Sequence, residues 1–492
     1  MATDRPNLII LCPDEMRAES LACYGHPAAI TPNIDRLAGE GVRFDNCFVQ
    51  HTVCSPSRCS YLTGLYPHNR GHRTLWHLLQ PDEPDLFQRL KDDGYETVYW
   101  GKNDTYSPGA ALNAISKFGR HSSQAKRGSR GWMPPHDLDD PMHYSFLYEP
   151  MSEDRREHHD WQTLHGAVEY LQSAPTEPFA LNVNLGFPHC PYRAPADWHD
   201  RIDPDSLPPL RPRGLPNKPD FHTELARQSR TAELPDDVLR KINAVYLGMI
   251  GFVDEMVGDL MRALDETGLA DNTVLMLISD HGDFAGDFGL VEKWPSALDD
   301  TVTRVPLIIR APGNAAGHVV EEPIELFDIT ATGLDVCGVE AKHTHFARSL
   351  APQLAGAAGD PERVVFAEGG YDTHEPQCFE NPGQVSGGGD VREAVYWAKT
   401  SLQQEKPETV CRATMARSAT HKLVQRPNGV DELYDLRSDP QELKNVHGDP
   451  AHSEAQRELE LAMLNWYVHT SDTVPFEQNE RGFTKEVREA LS

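Results

Sequence analysis

The segment HTVCSPSRCSYLTG, residues 51–64, places Cys54 two residues before Pro56 and four before Arg58. Proline suits the first positions of a helix because its missing N–H would have no partner there, so we expect a helix to begin here. The free N–H groups of a helix start bind anions, and a neighbouring cation lowers the pKa of a thiol. Cys54 is therefore a candidate nucleophile, metal ligand, core residue or precursor of another group, and the segment alone leaves these open.

Two polar pairs, Asp14-Glu15 and Asp280-His281, each follow an apolar run. Carboxylates that meet at one edge of a sheet repel each other unless a cation lies between them, and oxygen-rich ligands favour Ca²⁺, Mg²⁺ or Mn²⁺. A helix cap or a solvated loop explains either pair taken alone. The second pair, however, opens SDHGDFAGDFGLVEK, whose glycines permit tight turns near a ligand before Lys293. This context predicts a divalent-cation site.

The elements that position these residues alternate between strands and helices. Apolar runs such as NLIILC and TVLMLI are typical of buried strands, and the amphipathic segment that starts at residue 236 predicts a long helix ending near Gly268. This order predicts an α/β fold with a large, mainly parallel mixed sheet sandwiched by helices. Four residues follow the ends of predicted strands: Asp14, Lys102, His189 and Asp280. Ligands bind at this edge of open α/β sheets.

A change of pattern near residue 360 predicts two domains, residues 1–360 and residues 361–492. The second part contains the short runs RVVFAEGG, AVYWAKT, CRATMAR, HKLVQRP and DELYDL, followed by the helical pattern SEAQRELELAMLNWYVHT. We expect these to form a smaller C-terminal antiparallel sheet plus a helix. Residues 117–140 and 203–220 are basic or proline-rich, which predicts loops.

The composition limits the partners. A net charge of −29 over 492 residues argues against nucleic acid and anionic membranes as partners, and it requires a locally cationic site for any anionic substrate. Nine cysteines, an odd number without a CxxC pair, favour reduced and mostly buried thiols. The short apolar run before Pro13 does not resemble a signal peptide, and no run is long enough to span a membrane. We therefore expect a cytoplasmic protein.

Several elements together resemble one family. CSPSR followed by CSYLTGLYP is similar to the signature of the type I, formylglycine-dependent sulfatases of the alkaline phosphatase superfamily. PNLIILCPDE, TPNIDRLAGEGVRFDN, GYETVYWGKND, PHCPY, SDHGDFAGDFGLVEK and DELYDLRSDPQELKNV resemble other elements of that family, in the same order. The resemblance implies an alkaline-phosphatase-like catalytic domain in residues 1–360. In the family, the cysteine is oxidised to Cα-formylglycine, whose hydrate is the nucleophile.

The resemblance also implies the metal ligands. Asp14, Asp280 and His281 would bind one divalent cation, most naturally Ca²⁺, with Mg²⁺ or Mn²⁺ as alternatives. Position 54 would complete the shell as formylglycine hydrate. Glu15 stands where many members have a second aspartate, so it is a further expected ligand.

The expected catalytic residues follow from the same resemblance. Arg58 would orient the formylglycine made from Cys54, Lys102 and Lys293 would hold the sulfate oxygens and the leaving group, and His189 would act near the leaving oxygen. Taken individually, Lys102 is better explained as a strand-end lysine, Lys293 as a loop lysine and His189 as a turn residue. Taken together, in this order, they are better explained by the resemblance. Many members carry a histidine two residues after the Gly-Lys lysine, where this chain has Asp104.

The expected activity is hydrolysis of a sulfate monoester to an alcohol or phenol plus inorganic sulfate. The alternative is a phosphonate monoester or phosphodiester hydrolase of the same superfamily, although the Gly-Lys lysine favours sulfate. A third interpretation is an unmodified protein that only binds a sulfated ligand. Expected partners are a sulfated small molecule or glycan and, transiently, a formylglycine-generating enzyme. The basic residues of the 117–140 segment could contact an anionic glycan: Lys117, Arg120, Lys126, Arg127 and Arg130.

Overall fold

Among the described residues, nine strands form one large mixed sheet. The computed structural model describes residues 5–119, 134–152, 154–372, 374–375, 389–475 and 481–492. The strands of the large sheet are β1 Asn7–Asp14, β2 Val42–Phe48, β3 Glu96–Gly101, β4 Lys117–Gly119, β5 Phe179–Pro188, β6 Thr273–Leu277, β7 Arg304–Arg310, β8 His318–Val320 and β9 Ile324–Glu325.

The strand order is β4-β3-β5-β1-β6-β7-β2-β8, with β9 also beside β2. Neighbours pair in parallel except at β7, which is antiparallel to both β6 and β2. The predicted fold class, a mainly parallel mixed sheet, is confirmed. Strands β3, β5, β1 and β6 are adjacent and share one direction, so their carboxyl ends form a continuous edge.

Helices cover both faces of this sheet. The helices are α1 Pro32–Glu40, α2 Cys54–Thr63, α3 Pro67–Arg70, α4 Leu86–Asp92, α5 Pro108–Ala114, α6 His159–Gln172, α7 Ala196–His199, α8 Asp220–Gln228, α9 Asp236–Thr267, α10 Asp300–Thr303, α11 Asp328–Val336, α12 Ala351–Leu354, α13 Trp397–Glu405, α14 Ser453–Thr470 and α15 Lys485–Ala490.

The central strand β1 explains why both faces are covered. Ile9 and Leu11 belong to a core with α1, α6 and α9, whereas Leu8, Ile10 and Cys12 belong to a second core with α2, α4 and α11. Alternate residues of a strand point to opposite faces, so the uninterrupted apolar run requires two covering layers. Burying each large aliphatic side chain contributes roughly 1.5–3 kcal/mol.

The helix α9 has the bounds expected from its pattern. It spans 32 residues and ends where Gly268 adopts the left-handed conformation with φ of 70°. A glycine without Cβ takes that conformation at little cost, which ends the helix at this residue. The turn then leads through a short connection into β6, the strand that precedes Asp280.

The C-terminal part contains a separate antiparallel sheet of β10 Val365–Gly369, β11 Ala413–Arg417, β12 His421–Gln425 and β13 Glu432–Asp435. On it packs α14, whose Trp466 stacks on Phe366 with ring centroids 4.8 Å apart. The predicted C-terminal sheet plus helix is therefore confirmed. The predicted strand AVYWAKT is wrong, because residues from Trp397 onward form α13. Ala398 and Leu402, four positions apart, are both buried in it. Their helical spacing outweighs the β-type residues that begin the run.

Three further predictions concern boundaries and loops. The division at residue 360 stays a prediction; β10 begins at Val365, and side chains from both sheets share one apolar core. The predicted 117–140 loop begins with strand β4, where Lys117 pairs with Glu96 at 2.7 Å. The other basic residues of that segment lie outside the described residues: Arg120, Lys126, Arg127 and Arg130.

The described cysteines are free thiols, most of them buried, as the odd count predicts, and Cys378 lies outside the described residues. Cys59, adjacent to the CSPSR motif, packs in the core with α2 and α11. No helix in the part of the chain that the structure describes is long and apolar enough to cross a bilayer.

Candidate active site

The carboxyl edge of the large sheet gathers the polar residues that follow four of its strands. Asp14 is the last residue of β1, Lys102 directly follows β3 and His189 directly follows β5. Asp280 follows β6 after a short extension of the chain. Because these four strands are parallel neighbours, their ends meet and the side chains reach one another.

Four potential metal ligands converge at this edge: Asp14, Cys54, Asp280 and His281. One donor atom of each lies within 4.8 Å of the other three, and all four residues are buried. The Sγ of Cys54 is 3.2 Å from Nε2 of His281 and 3.6 Å from Oδ1 of Asp14. Two converging carboxylates with an imidazole form a donor set that fits a divalent cation.

The histidine of this group is oriented for ligation. Its Nδ1 lies 2.9 Å from the carbonyl oxygen of Gly282, and this partner assigns the proton to Nδ1. The Nε2 lone pair then faces Cys54 and Asp14. Burial lowers the pKa of His281, which keeps the imidazole neutral, as a ligand must be. Burial opposes ionisation of Asp14, but the cationic Lys102 and Arg58 hold its pKa well below the usual value.

Cys54 begins α2, so the sequence places it at the helix start, although Pro56 falls within the first turn rather than opening it. Proline is tolerated there because the first four N–H groups of a helix have no intrahelical partner. Burial raises the pKa of the Cys54 thiol well above its usual value; Asp14 adds to this effect, and Lys102 and Lys293 oppose it. The protein groups around Cys54 therefore favour its thiol over the thiolate.

Arg58, one turn further along α2, is fully buried and ties the helix to the strand ends. Its Nε donates to Oδ2 of Asp280 at 2.9 Å, and its Nη2 lies 3.4 Å from Oδ2 of Asp14. Its Nη1 donates to Oδ1 of Asn184 on β5 at 2.6 Å. The guanidinium therefore fixes the relative positions of α2, β1, β5 and the segment after β6.

Lys102 lies between two carboxylates. Its Nζ is 2.5 Å from Oδ2 of Asp14, 2.7 Å from Oδ2 of Asp104 and 3.7 Å from Sγ of Cys54. The preceding Gly101 has φ of 91°, and a Cβ there would lie 1.9 Å from the carbonyl oxygen of Asn184. A glycine is therefore required for the chain to turn Lys102 into the site. Asp104, which stands where many family members have a histidine, neutralises part of the charge on Lys102.

Glu15, Lys293 and His189 form a second group beside the four potential metal ligands. Lys293 Nζ pairs with Oε1 of Glu15 and lies 3.3 Å from Nε2 of His189. The Glu15 carboxylate, an expected metal ligand, thus contacts this lysine and is not one of the four grouped donors. Burial lowers the pKa of His189 to about 3, and Lys293 adds to the effect. His189 Nδ1 is 2.7 Å from the carbonyl oxygen of Cys190, so Nε2 is the acceptor that faces the lysine.

Sequence reasoning missed three residues at this site: Asn184, Glu292 and Lys399. Glu292 is buried and its Oε1 lies 2.6 Å from Nζ of Lys293, while its Oε2 pairs with Lys399. Glu292 could have been found from the sequence, because it is an acidic residue directly before the motif lysine Lys293. Asn184 lies inside an apolar strand run and Lys399 in a segment predicted as a strand, so neither had a signal in the sequence.

Comparison with known proteins identifies related chains. A family model described as Sulfatase matches residues 6–339. Iduronate 2-sulfatase of Mus musculus is 31% identical over 394 residues, which cover 73% of this chain and 70% of that protein. A multifunctional alkaline phosphatase superfamily protein of Trinickia caryophylli is 25% identical over 520 residues, covering 95% of this chain and 96% of the relative.

A solved structure shares the fold. The phosphonate monoester hydrolase of Agrobacterium radiobacter superposes with a TM-score of 0.77 at 23% identity, covering 95% of this chain and 96% of the other. At this identity the likeness concerns the arrangement of the two sheets and their helices.

Proposed function

Because the chain belongs to the sulfatase family, a family of sulfuric ester hydrolases, we propose that it hydrolyses a sulfate monoester to an alcohol or phenol and inorganic sulfate. The observation that carries the proposal is the position of Cys54. It lies at the start of a buried helix, in contact with His281 and Asp14 and within 3.7 Å of the Lys102 ammonium.

Sulfatases generally use a metal ion and a formylglycine. Asp14, Asp280 and His281 would hold the ion, with Ca²⁺ favoured and Mg²⁺ or Mn²⁺ as alternatives, and position 54 would complete its shell. When present, the formylglycine hydrate from Cys54 supplies the nucleophilic oxygen and the cation polarises the sulfate. Glu15 is proposed as a further ligand that would exchange its contact with Lys293 for the cation.

The cationic side chains would bind the sulfate group. Lys102, directly after β3, and Lys293, in the loop after β6, both act electrostatically on position 54, which suits them to the oxygens that gain charge as the ester bond breaks. Arg58, held by Asp14, Asp280 and Asn184, would orient the group at position 54. This local positive charge resolves the conflict between an anionic substrate and an acidic protein.

Lys293 and His189 would serve the leaving oxygen. Burial disfavours the charged form of Lys293, but the adjacent Glu15 and Glu292 raise its pKa well above the usual value. The lysine therefore holds a proton while the neutral His189 accepts a hydrogen bond from it. Lys293 would give a proton to the leaving oxygen, and the weakly basic Nε2 of His189 would hold the ammonium beside that oxygen.

The second candidate function is hydrolysis of phosphonate monoesters or phosphodiesters. Two similarities support this second candidate. The fold is shared with a phosphonate monoester hydrolase, and the Trinickia caryophylli relative is a multifunctional member of the alkaline phosphatase superfamily. Lys102 favours the sulfate ester, because the resemblance described above associates the lysine of the Gly-Lys element with sulfatases. The expected substrate class is a sulfated small molecule or glycan. The expected transient partner is a formylglycine-generating enzyme that reads Cys54, Pro56 and Arg58.

The deciding experiment combines mass and kinetics. Conversion of Cys54 to formylglycine lowers the intact mass of the protein, and a Cys54→Ala variant is the matched control. With modification and metal content verified, kcat/KM is compared for aryl sulfates, sulfated sugars, a phosphonate monoester and a phosphodiester. We expect the sulfate esters to give the higher values. Preference for the phosphorus esters, or full activity with unmodified Cys54, would refute the proposal.

A further inference from the structure

Lys399 reaches the candidate active site from the C-terminal part of the chain. It lies on α13, beyond the residues matched by the family, and its side chain is only 5% exposed. Its Nζ pairs with Oε2 of Glu292, which is itself buried. A buried lysine that is directed at a buried carboxylate is costly to desolvate unless the pair is well arranged, so its location next to Lys293 requires an explanation.

Glu292 connects the two lysines through separate oxygens. Its Oε1 accepts from Nζ of Lys293 at 2.6 Å, and its Oε2 accepts from Lys399 and from the backbone N–H of Lys293 at 2.8 Å. Its backbone is fixed as well, with φ of 61° and an N–H that donates to the hydroxyl of Tyr192 at 2.8 Å. The carboxylate thus has a single orientation relative to Lys293.

The direction of the Lys293 ammonium depends on that orientation. Its three partners are Oε1 of Glu15, Oε1 of Glu292 and Nε2 of His189. An ammonium has three protons, so these contacts account for all of them, with one proton aimed at His189. When Glu15 exchanges Lys293 for the cation, one proton would become free for the leaving oxygen, while Glu292 and His189 would keep the ammonium in place. Without Lys399, the charge of Glu292 would act on Lys293 more strongly. It would draw the Lys293 ammonium toward Glu292 and away from His189.

We propose that Lys399 and Glu292 are positioning residues that hold the Lys293 ammonium against His189, and so act on the departure of the leaving group. The inference rests on the proposed sulfatase activity and adds to it a contribution from the C-terminal part of the chain. It differs from a purely structural role, because a proton donor on the leaving oxygen matters more when that oxygen is more basic.

The test is the dependence of activity on the leaving group. We compare kcat and KM of wild type, Lys399→Gln, Glu292→Gln and the double variant on 4-nitrophenyl sulfate and on phenyl sulfate, whose phenolate is more basic. Lys399→Gln should lower kcat on phenyl sulfate by about 10–100-fold, the usual cost of losing a supporting partner, and should lower it less on 4-nitrophenyl sulfate. The double variant should add little to Glu292→Gln, because the two act as one unit.

Two further variants control the result. Lys406→Gln removes a lysine just past the end of α13 that pairs with Glu224 at 2.6 Å and is 38% exposed, and it should match wild type. Lys399→Arg keeps the charge and should retain most of the activity on phenyl sulfate. Modification of Cys54, metal content and thermal unfolding are measured for each variant, and Glu292→Gln carries the test if Lys399→Gln does not fold.

Equal losses on both substrates, or Lys399→Gln behaving like Lys406→Gln, would overturn the inference while leaving the proposed function intact. A correctly modified wild type that is inactive on every sulfate ester would refute the proposed function itself, and the inference with it.

Discussion

Replacing Arg58 with methionine removes a cation buried between two carboxylates of the candidate metal site. The guanidinium and both carboxylates are fully buried, with Nε 2.9 Å from Asp280 and Nη2 3.4 Å from Asp14. Removing one partner of a buried ion pair costs about 3–5 kcal/mol, since the remaining charge is left without compensation. We therefore expect Arg58→Met to lower the free energy of unfolding by that amount in the absence of divalent cations.

A bound cation should restore part of this loss. The two carboxylates left by Arg58→Met repel each other, so a divalent cation between them gains more in the variant than in the wild type. We expect Ca²⁺ to return about 1–3 kcal/mol of the lost stability, which corresponds to about 5–150-fold tighter binding of the cation by the variant.

The assay is urea unfolding with a chelator and with saturating Ca²⁺, supported by direct titration of the metal. Arg36→Met is the control, because Arg36 is 47% exposed and pairs with Glu40 on the surface; its loss should cost at most about 1 kcal/mol under both conditions. An Arg58→Met variant as stable as wild type without cation, or one that binds Ca²⁺ more weakly, would refute the reasoning.

Three other predictions concern charge at the site. Lys102→Met should lower kcat/KM for sulfate esters by about 10²–10³-fold, the range for losing one group that stabilises transition-state charge, whereas Lys117→Met on β4, 59% exposed at its side chain, should leave it unchanged. Asp104→Asn should instead raise kcat/KM for an aryl sulfate, because it frees Lys102 from a carboxylate 2.7 Å away; a decrease would mean that Asp104 binds the substrate. Burial lowers the pKa of His51 from 6.5 to about 3, with Arg73 adding to it, so the unfolded chain binds a proton that the folded chain does not. The stability contributed by neutral His51 is complete above pH 6.5 and falls by about 1.4 kcal/mol per pH unit on acidification toward pH 3. In urea unfolding from pH 7 to pH 4, His51→Gln should lose less stability than wild type, and parallel curves would contradict the assignment.

Much of the fold could be predicted because its elements have strong local patterns. The all-apolar strand before Asp14, the long helix that ends at Gly268 and the C-terminal helix have the predicted type and location. The spacing of apolar residues in each element reflects the face that it buries. This spacing is visible within a single stretch of consecutive residues, so it can be recognised from the sequence. The wrongly predicted element, α13, begins with a β-type run. Its helical state follows from the burial of Ala398 and Leu402 on one face, where Leu402 packs in a core with residues of α8.

The candidate site also has a part that could be predicted from the sequence and a part that could not. The sequence by itself determined which residues follow the strand ends, Asp14, Lys102, His189 and Asp280, because the order of strands and polar tips is local. Only the tertiary structure decided how these residues pair. In the folded protein, Lys102 contacts both Asp14 and Asp104, and Glu15 pairs with Lys293.

The contact between Lys399 and Glu292 is the clearest example of a feature that depends on the tertiary structure. Lys399 and Glu292 are 107 positions apart, and no spacing rule links a lysine of one segment to a carboxylate of another. Their contact follows from the docking of α13 beside the sheet edge, which depends on apolar packing over many residues. A sequence specifies the residue types available for chemistry, whereas the packed core determines which of their charges meet.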